Sequence, residues 1–471
     1  MTGIAAFGAY VPRLRLPLAL AAGLPAREGG PERAVAGHDE DAVSMAVAAC
    51  LDCLTGFERE RVDALYFAST SYALREKQGA ALIAKALDLR RDVRSADFSG
   101  SLRAGMGALE AACHAVAAGA VGRALVVASE CRMAAPRSAL EAKLGDAAAA
   151  FLVGSGDAVA TLEGSYAVTD ELQDLWRADG ERFVHGWEER FVVQQGYTPN
   201  LCEAVRGLFA QTGLGPERFA RVALYAPDPR SLADAAGALG VAPDRLQEPF
   251  FGRLGNAGAA FAPLLLAAAL EGAAPGERLL AAGYGDGAHA MAFQVTERIE
   301  KLEPRLGVSG HLARRRPLAR YDTYLRARGL EAQEWTSVPD PGLSATVRFR
   351  ERDADIAFLG ARCRRCGQIH FPAPRVCYRC HARDEWEPHR LSDKRGRVLA
   401  YTFDHFFPAP EPPTTVVVCE IEGCRVQLQM ADLRPEEARL DMEVGFAFRV
   451  IHQAGGKPNY FWKAVAAGGA A

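Results

Sequence analysis

The chain has 471 residues, 49% of them hydrophobic and 24% charged, with a formal net charge of -3. That length exceeds what a single hydrophobic core serves, so two or three domains are expected, and the charge balance gives no electrostatic basis for binding nucleic acid. Eleven cysteines, an odd number, fit a reducing cytosol better than a secreted disulfide framework.

The N-terminal run MTGIAAFGAYVPRLRLPLALAAGLPAR is broken by Pro12, Arg13, Arg15 and Pro17 before an apolar core of signal-peptide length, so it reads as a first strand. No stretch reaches the roughly 20 uninterrupted apolar residues of a membrane span, and a cytoplasmic protein without a membrane partner is expected. From residue 1 to about 298, β-rich runs (ALYFAST, RALVVASE, AAAAFLVG, RVALYAPD, ERLLAAGYG, HAMAFQV) alternate with Ala/Leu-rich helical patterns (DAVSMAVAACLDCL, LRAGMGALEAACHAV, FAPLLLAAALEGA). The alternation predicts a layered α/β domain. It runs twice, before and after about residue 163, which predicts duplicated halves at 1–163 and 164–298.

Within this domain several residue clusters have competing readings. His38, Asp39, Glu40 and Asp41 are metal-ligand types, but Asp41 directly precedes an apolar helical run and reads as its N-cap. Cys50 and Cys53 form a Cys-x-x-Cys pair inside a helical pattern, which predicts packing rather than redox work, as for Cys113, Cys131 and Cys202. His185, Trp187, Glu188 and Glu189 in RFVHGWEERF read as an exposed amphipathic turn, with a place beside a ligand pocket as the alternative. GYGDGAHA is Gly-rich but lacks the helix and lysine of a phosphate-binding loop. Between 299 and 350, RRRPLARYDTYLRARGLEAQEWTSVPDPG predicts a linker with a short amphipathic helix, its arginines a solvated face rather than a phosphate contact.

Cys363, Cys366, Cys377 and Cys380 stand in CRRCGQIHFPAPRVCYRC as two Cys-x-x-Cys knuckles ten residues apart. Four thiolates close the shell of one zinc ion and leave no substrate position, so a structural zinc ribbon is expected over 351–394, with His370 and His381 nearby but not needed as ligands. From 395 to 471 the patterns GRVLAYTFDHF, TTVVVCEIEG, RVQLQMA, EVGFAFRVI and YFWKAV predict a small closed barrel. FDHFFPAPEPP lacks the interleaved basic residues of a single-strand-binding groove.

The segments GAYVPR, DEDAVSMAV, LYFASTS, SADFSGSLRAG, GDAAAAFLVG, DLWRADGERF, LGNAGAA and PGERLLAAGYGDGAHAMAF resemble, in order and spacing, the 3-hydroxy-3-methylglutaryl-CoA synthases of the thiolase superfamily, the archaeal branch most closely. The part from about 350 to 468 resembles the zinc-ribbon and OB-fold domain that accompanies acyl-CoA thiolases, synthases and aldolases, usually as a separate subunit. The resemblance implies a five-layered α-β-α-β-α fold, a homodimer through the thiolase-like domain, and a coenzyme A thioester as substrate. It also implies contacts from Gly255, Gly285 and Gly287 at the ligand site, where the Gly-rich loop of this family closes.

Three positions depart from the family. Its nucleophilic cysteine falls on Leu102, its acid/base glutamate on Thr70 and its histidine on Tyr225, while its asparagine is retained as Asn256. Leucine carries no acyl group, so an acyl-cysteine route is excluded in this register. Ser99 and Ser101 lie within a turn of Leu102, but no histidine stands where it would activate them. Two readings follow. One is an enzyme of aldol or retro-aldol type, as in thiolase-fold aldolases that lack the cysteine, rely on tyrosines and need a zinc-ribbon/OB partner. There Tyr225, its pKa lowered by neighbours, would move a proton. Asn256 and amides of the Gly283 to Gly287 loop would hold the oxyanion, and Thr70 or Ser101 would orient the substrate. The other is a non-catalytic CoA-ester-binding scaffold, or the partner subunit of a second thiolase-pathway enzyme, with Tyr225 a buried aromatic at a strand end.

Overall fold

The computed structural model describes residues 1–331, 342, 344–407 and 409–467. Backbone contacts divide the chain into one unit of residues 1–36 and 41–321 and a second of 37–40 and 322–471. In the stretch expected as a linker, helices form at Tyr321–Ala327 and Ala345–Asp355, while 332–341 and 343 of that predicted linker lie outside the described residues.

In the first unit, strands Arg94–Phe98, Ala64–Ala68, Arg123–Glu130, Ala147–Ser155 and Thr2–Tyr10 lie side by side in that order. Strands Ala160–Thr169, Gly287–Val295, Arg278–Tyr284 and Arg221–Leu224 continue the series. The duplication read from the alternating pattern is visible in this topology. Ala64–Ala68 runs parallel to Arg123–Glu130, which pairs antiparallel with Ala147–Ser155. Likewise Arg221–Leu224 runs parallel to Arg278–Tyr284, which pairs antiparallel with Gly287–Val295. Each hairpin then adds the first strand of its own half, Thr2–Tyr10 or Ala160–Thr169. The halves meet where Gly3 and Ile4 pair with Thr161 and Ala160.

Helix composition sets the layers. Phe261–Glu271, FAPLLLAAALE, is apolar on every side and is buried along nearly its whole length, which suits a helix between two sheets. It packs against Ala104–Ala117, and both touch strands of both halves. Helix Thr198–Thr212 instead buries one face, with Leu201, Cys202, Val205 and Leu208, and covers the outside of the second half. Ala42–Cys53 covers the outside of the first. Asp41 caps that helix through a reciprocal pair, the Ser44 N–H to Asp41 Oδ1 and the Asp41 N–H to Ser44 Oγ, both at 2.8 Å. Cys50 and Cys53 are wholly buried in it, and burial pushes the Cys53 thiol up to about 12, as expected for packing cysteines. Among the described residues no helix is long and apolar enough to cross a membrane.

The second unit begins its sheet structure with Leu359–Cys363, Ile369–His370 and Trp386–Arg390, a three-stranded ribbon around the cysteine knuckles. Five antiparallel strands follow, in the order Cys424–Gln429, Thr414–Ile421, Gly396–Asp404, Glu443–Ala454, Lys457–Ala466. Met430 bridges to Ala464 in parallel, so the last strand returns to the far edge and the sheet closes into the small barrel predicted from the alternating pattern. Trp462, fully buried in its core, donates its indole N–H to Ile356 O at 2.9 Å. Asp39 and Glu40 belong to this unit and are held by ion pairs. Lys463 Nζ lies 2.9 Å from Asp39 Oδ2, and Arg449 Nη2 lies 3.2 Å from Glu40 Oε1.

Candidate active site

Parallel strands leave their carboxyl ends open to a ligand, and in the first unit those ends carry the polar side chains. Thr70 follows strand Ala64–Ala68, Glu130 closes Arg123–Glu130, Tyr225 follows Arg221–Leu224, and Tyr284 closes Arg278–Tyr284. The Tyr225 N–H donates to Ala282 O at 2.8 Å, continuing the parallel pairing by one residue, and the Tyr225 and Tyr284 ring centroids lie 6.0 Å apart. Tyr197 completes a cluster of three phenols. Its ring is 5.4 Å from that of Tyr284, and its hydroxyl donates to Tyr225 O at 2.9 Å.

These phenols line a cavity of about 240 Å³ together with Arg132, Asp174 and Asn256. Its outer wall includes Leu175, Gly186 and Trp187 from a short hairpin in which Leu175–Trp176 pairs with His185–Gly186, and Lys143 ion-paired with Glu189. The segment expected as an exposed turn therefore contributes to the cavity. Trp187 and Glu189 reach the wall of the cavity while remaining exposed, as His185 and Glu188 are, and His185 stacks on Trp176, so the segment is both the exposed turn expected and a border of the cavity.

Asn256 is fixed on all sides. Its backbone N–H donates to Lys143 O at 2.7 Å, and its Nδ2 donates to Ala226 O at 3.0 Å. Its Oδ1 accepts from the Gly258 N–H at 2.8 Å and from Arg132 Nη2 at 3.2 Å. Arg132 is almost wholly buried, with its Nε 3.9 Å from Glu130 Oε2. Glu130 accepts from both the N–H and the hydroxyl of Thr70, at 2.6 and 3.1 Å. A polar chain thus runs Thr70, Glu130, Arg132, Asn256, and Asn256 in turn hydrogen-bonds Tyr225.

Burial dominates the acid/base properties. It pushes the Tyr225 phenol up to about 12, outweighing the opposite pull of the Arg132 charge and the Asn256 hydrogen bond. This is the reverse of the lowering expected from sequence, because the ring is packed at the strand end among Phe261, Tyr197 and Tyr284. Tyr225 keeps its proton at neutral pH and is a donor. Asp174 is pushed up to about 6, again chiefly by burial, against the hydrogen bond from Tyr284 and the charge of Arg132.

Of the other residues singled out in the sequence, Thr70 and Ser101 lie off the cavity wall. Thr70 is engaged by Glu130 and by Arg177, and the Ser101 hydroxyl donates to Gly285 O at 3.0 Å. Leu102 packs against the core, and a Cβ placed on Gly285 would sit 2.8 Å from its backbone nitrogen. Gly255 and Gly287, both at positive φ, are likewise required by backbone approach, a Cβ falling 2.7 Å from Leu144 O and 2.1 Å from Val168 O. The Gly285 N–H donates to Gly287 O at 3.0 Å, so within the loop that amide is already committed. Asp174, Arg132, Tyr284 and Tyr197 were not singled out in the sequence. Asp174 opens DLWRADGERF and Tyr284 sits in GYGDG, both recognisable segments, whereas Arg132 and Tyr197 carry no local signal.

In the second unit the four cysteine sulfurs lie within 4.8 Å of one another, with Cys363 to Cys380 and Cys366 to Cys377 each at 3.6 Å. Tetrahedral zinc with Zn–S of about 2.3 Å sets its sulfurs about 3.8 Å apart, so this donor set fits one structural zinc ion. Knuckle hydrogen bonds, Gly367 N–H to Cys363 O at 2.8 Å and His381 N–H to Cys377 O at 2.9 Å, hold the loops that present them.

The repeated strand order around a buried helix layer, with polar groups at the strand ends, defines a thiolase-like protein. Solved structures share the fold: "MvaS in complex with 3-hydroxy-3-methylglutaryl coenzyme A" has a TM-score of 0.62 at 24% identity, covering 72% of this chain and 95% of that one. "HMG_CoA synthase complexed with CoA" has a TM-score of 0.63 at 21% identity, covering 73% and 95%. A hydroxymethylglutaryl-CoA synthase of Aeropyrum pernix is 33% identical over 347 residues, 69% of this chain and 94% of the relative. That of Methanopyrus kandleri is 30% identical over 321 residues, 64% and 90%. The chain belongs to the hydroxymethylglutaryl-CoA synthase family. Residues 350–387, which include the four cysteines, match the family described as ChsH2, rubredoxin-like zinc ribbon domain.

Proposed function

We propose that this protein forms or breaks the bond between Cα and Cβ of a 3-hydroxyacyl-CoA thioester, by aldol or retro-aldol chemistry without an acyl-enzyme. The observation that carries this reading is the cavity itself, whose wall, among the described residues, holds three phenols, two carboxyls, an arginine and an asparagine but no thiol. In cleavage, the β-hydroxyl loses its proton and its O–H electron pair becomes the new carbonyl bond. The Cα–Cβ pair passes into the thioester as an enolate, which is then protonated at Cα. Tyr225, which holds its proton, donates to the enolate oxygen, and the Arg132 charge lies behind it in a setting of low dielectric. Family membership supports the coenzyme A ester as the ligand.

Purified protein should convert short- and medium-chain 3-hydroxyacyl-CoA thioesters to a shorter acyl-CoA and a carbonyl product. Tyr225→Phe should lower turnover about 100- to 1,000-fold, the scale for losing one oxyanion donor, with CoA-ester affinity retained. Full activity in that variant removes Tyr225 from the mechanism. Tight binding without turnover in the unaltered protein, with a second enzyme co-purifying, moves the assignment to a scaffold. The same reading includes a homodimer, supported by strand Arg94–Phe98, which among the described residues has a neighbour on one side only. A monomeric mass in sedimentation at micromolar concentration would argue against it.

A further inference from the structure

The cavity wall carries two carboxyls. Glu189 is ion-paired with Lys143, whereas Asp174 accepts a hydrogen bond from the Tyr284 hydroxyl. We propose that Asp174 is the general base of the site, resting on the aldol reading above, with Tyr284 as the residue that positions it. Its backbone is pinned, since the Trp187 N–H donates to Asp174 O at 3.0 Å and the next residue enters the Leu175–Trp176 pairing. The side chain is half-buried on the same wall as Tyr225 and Asn256. None of the three departures at Leu102, Thr70 and Tyr225 supplies a base, and the carboxylate of Glu130 is fully buried off this wall.

In the cleavage direction the Asp174 carboxylate takes the β-hydroxyl proton as the carbonyl forms and the Cα–Cβ pair moves into the enolate. The resulting carboxylic acid returns that proton to Cα, the neighbouring atom along the substrate, and no co-reactant is consumed. A base for this task works best with a pKa near the operating pH, and burial places Asp174 at about 6. The charged and titratable groups that face it are Arg132, Tyr225, Tyr284, Asp286 and Glu189.

The test is the pH profile of kcat/KM for the 3-hydroxyacyl-CoA thioesters, with acetyl-CoA binding measured by calorimetry as a check on folding. The full-length protein should lose activity below an acid limb near pH 6. Asp174→Asn should bind acetyl-CoA normally, turn over about 100- to 10,000-fold more slowly and show no such limb, while Asp174→Glu recovers part of the rate. Tyr284→Phe removes a hydrogen bond that favours the carboxylate, so its acid limb should move to higher pH. Turnover within a few-fold in Asp174→Asn, or an unmoved limb in Tyr284→Phe, overturns the assignment of Asp174 while leaving the aldol reading in place. If the unaltered protein turns over none of the thioesters, the aldol reading fails and takes this one with it.

Discussion

Asn256→Ala separates the two roles that asparagine can have. Truncation at Cβ removes an acceptor for the Gly258 N–H and for one Arg132 N–H, and a donor to Ala226 O. Each buried group left without a partner costs about 1–3 kcal/mol, giving about 3–9 kcal/mol for three. The site borders the cavity, so water can reach some of these groups, and the expected loss is about 3–5 kcal/mol. The backbone bond to Lys143 O survives the substitution, so the effect should be local. Urea unfolding followed by far-UV circular dichroism should show a lower midpoint for the first unit with the slope unchanged. A loss below about 1 kcal/mol would refute the reasoning, because it would mean that the amide does not hold these three groups. Nδ2 spends one hydrogen on Ala226 O and the other on the Tyr225 phenol, so any donation to substrate would displace the latter contact, and a folded variant with reduced turnover would report that use.

Two further outcomes follow from the second unit. Removing zinc with a chelator, or with Cys366→Ser, should withdraw binding energy on the order of 10 kcal/mol and expose 359–390 to proteolysis. One zinc per chain by elemental analysis should precede the loss, and an undisturbed ribbon without metal would refute the structural role. Lys463→Met leaves the buried Asp39 without its cation, which should cost about 3–5 kcal/mol at neutral pH. The pH dependence should also change. With Lys463 present, Asp39 is held well below its ordinary 3.8, so its contribution is full above that value and fades as pH falls through the depressed pKa. Without Lys463, burial is opposed only by the charges of His38 and Arg449, so the carboxyl pKa should rise and the stability gained above 3.8 should shrink; equal pH slopes in the two proteins would contradict this.

The layered first unit, the cysteine knuckles and the closed barrel were legible because each rests on local pattern: alternating apolar residues, an all-apolar helix, ligand spacing. The site was legible only in part. Tyr225 and Asn256 could be placed because each sits in a recognisable segment, and the structure brings them to one wall. Asp174 was inside a recognised segment too, but nothing local marks a carboxyl as cavity-facing. Its environment is assembled from Tyr284, more than a hundred residues later, and from a hairpin closed by Trp187. The ionisation of Tyr225 was misjudged for the same reason: unspecified neighbours were expected to lower its pKa, whereas the packing of three aromatic rings around it, which cannot be read from spacing, raises it.

Thr70 bears on the three departures that the resemblance implies at Leu102, Thr70 and Tyr225, which we propose belong together. Its N–H and hydroxyl both donate to Glu130, a fully buried carboxyl group with the Arg132 charge beside it. A glutamate at position 70 would replace a donor with a second carboxylate beside Glu130, and two such groups in low dielectric cannot both ionise near neutral pH. We therefore propose that the polar chain from Thr70 to Tyr225 is a self-consistent arrangement of its own at these strand ends. Introducing the residues that the resemblance implies for the family, as Leu102→Cys, Thr70→Glu and Tyr225→His, should accordingly fail to build acyl transfer. After incubation with acetyl-CoA, intact-protein mass spectrometry should find no acetyl adduct on the introduced thiol. Stoichiometric acetylation would show that Glu130 and Arg132 tolerate the family arrangement, and that the coupling argued from Thr70 does not exist.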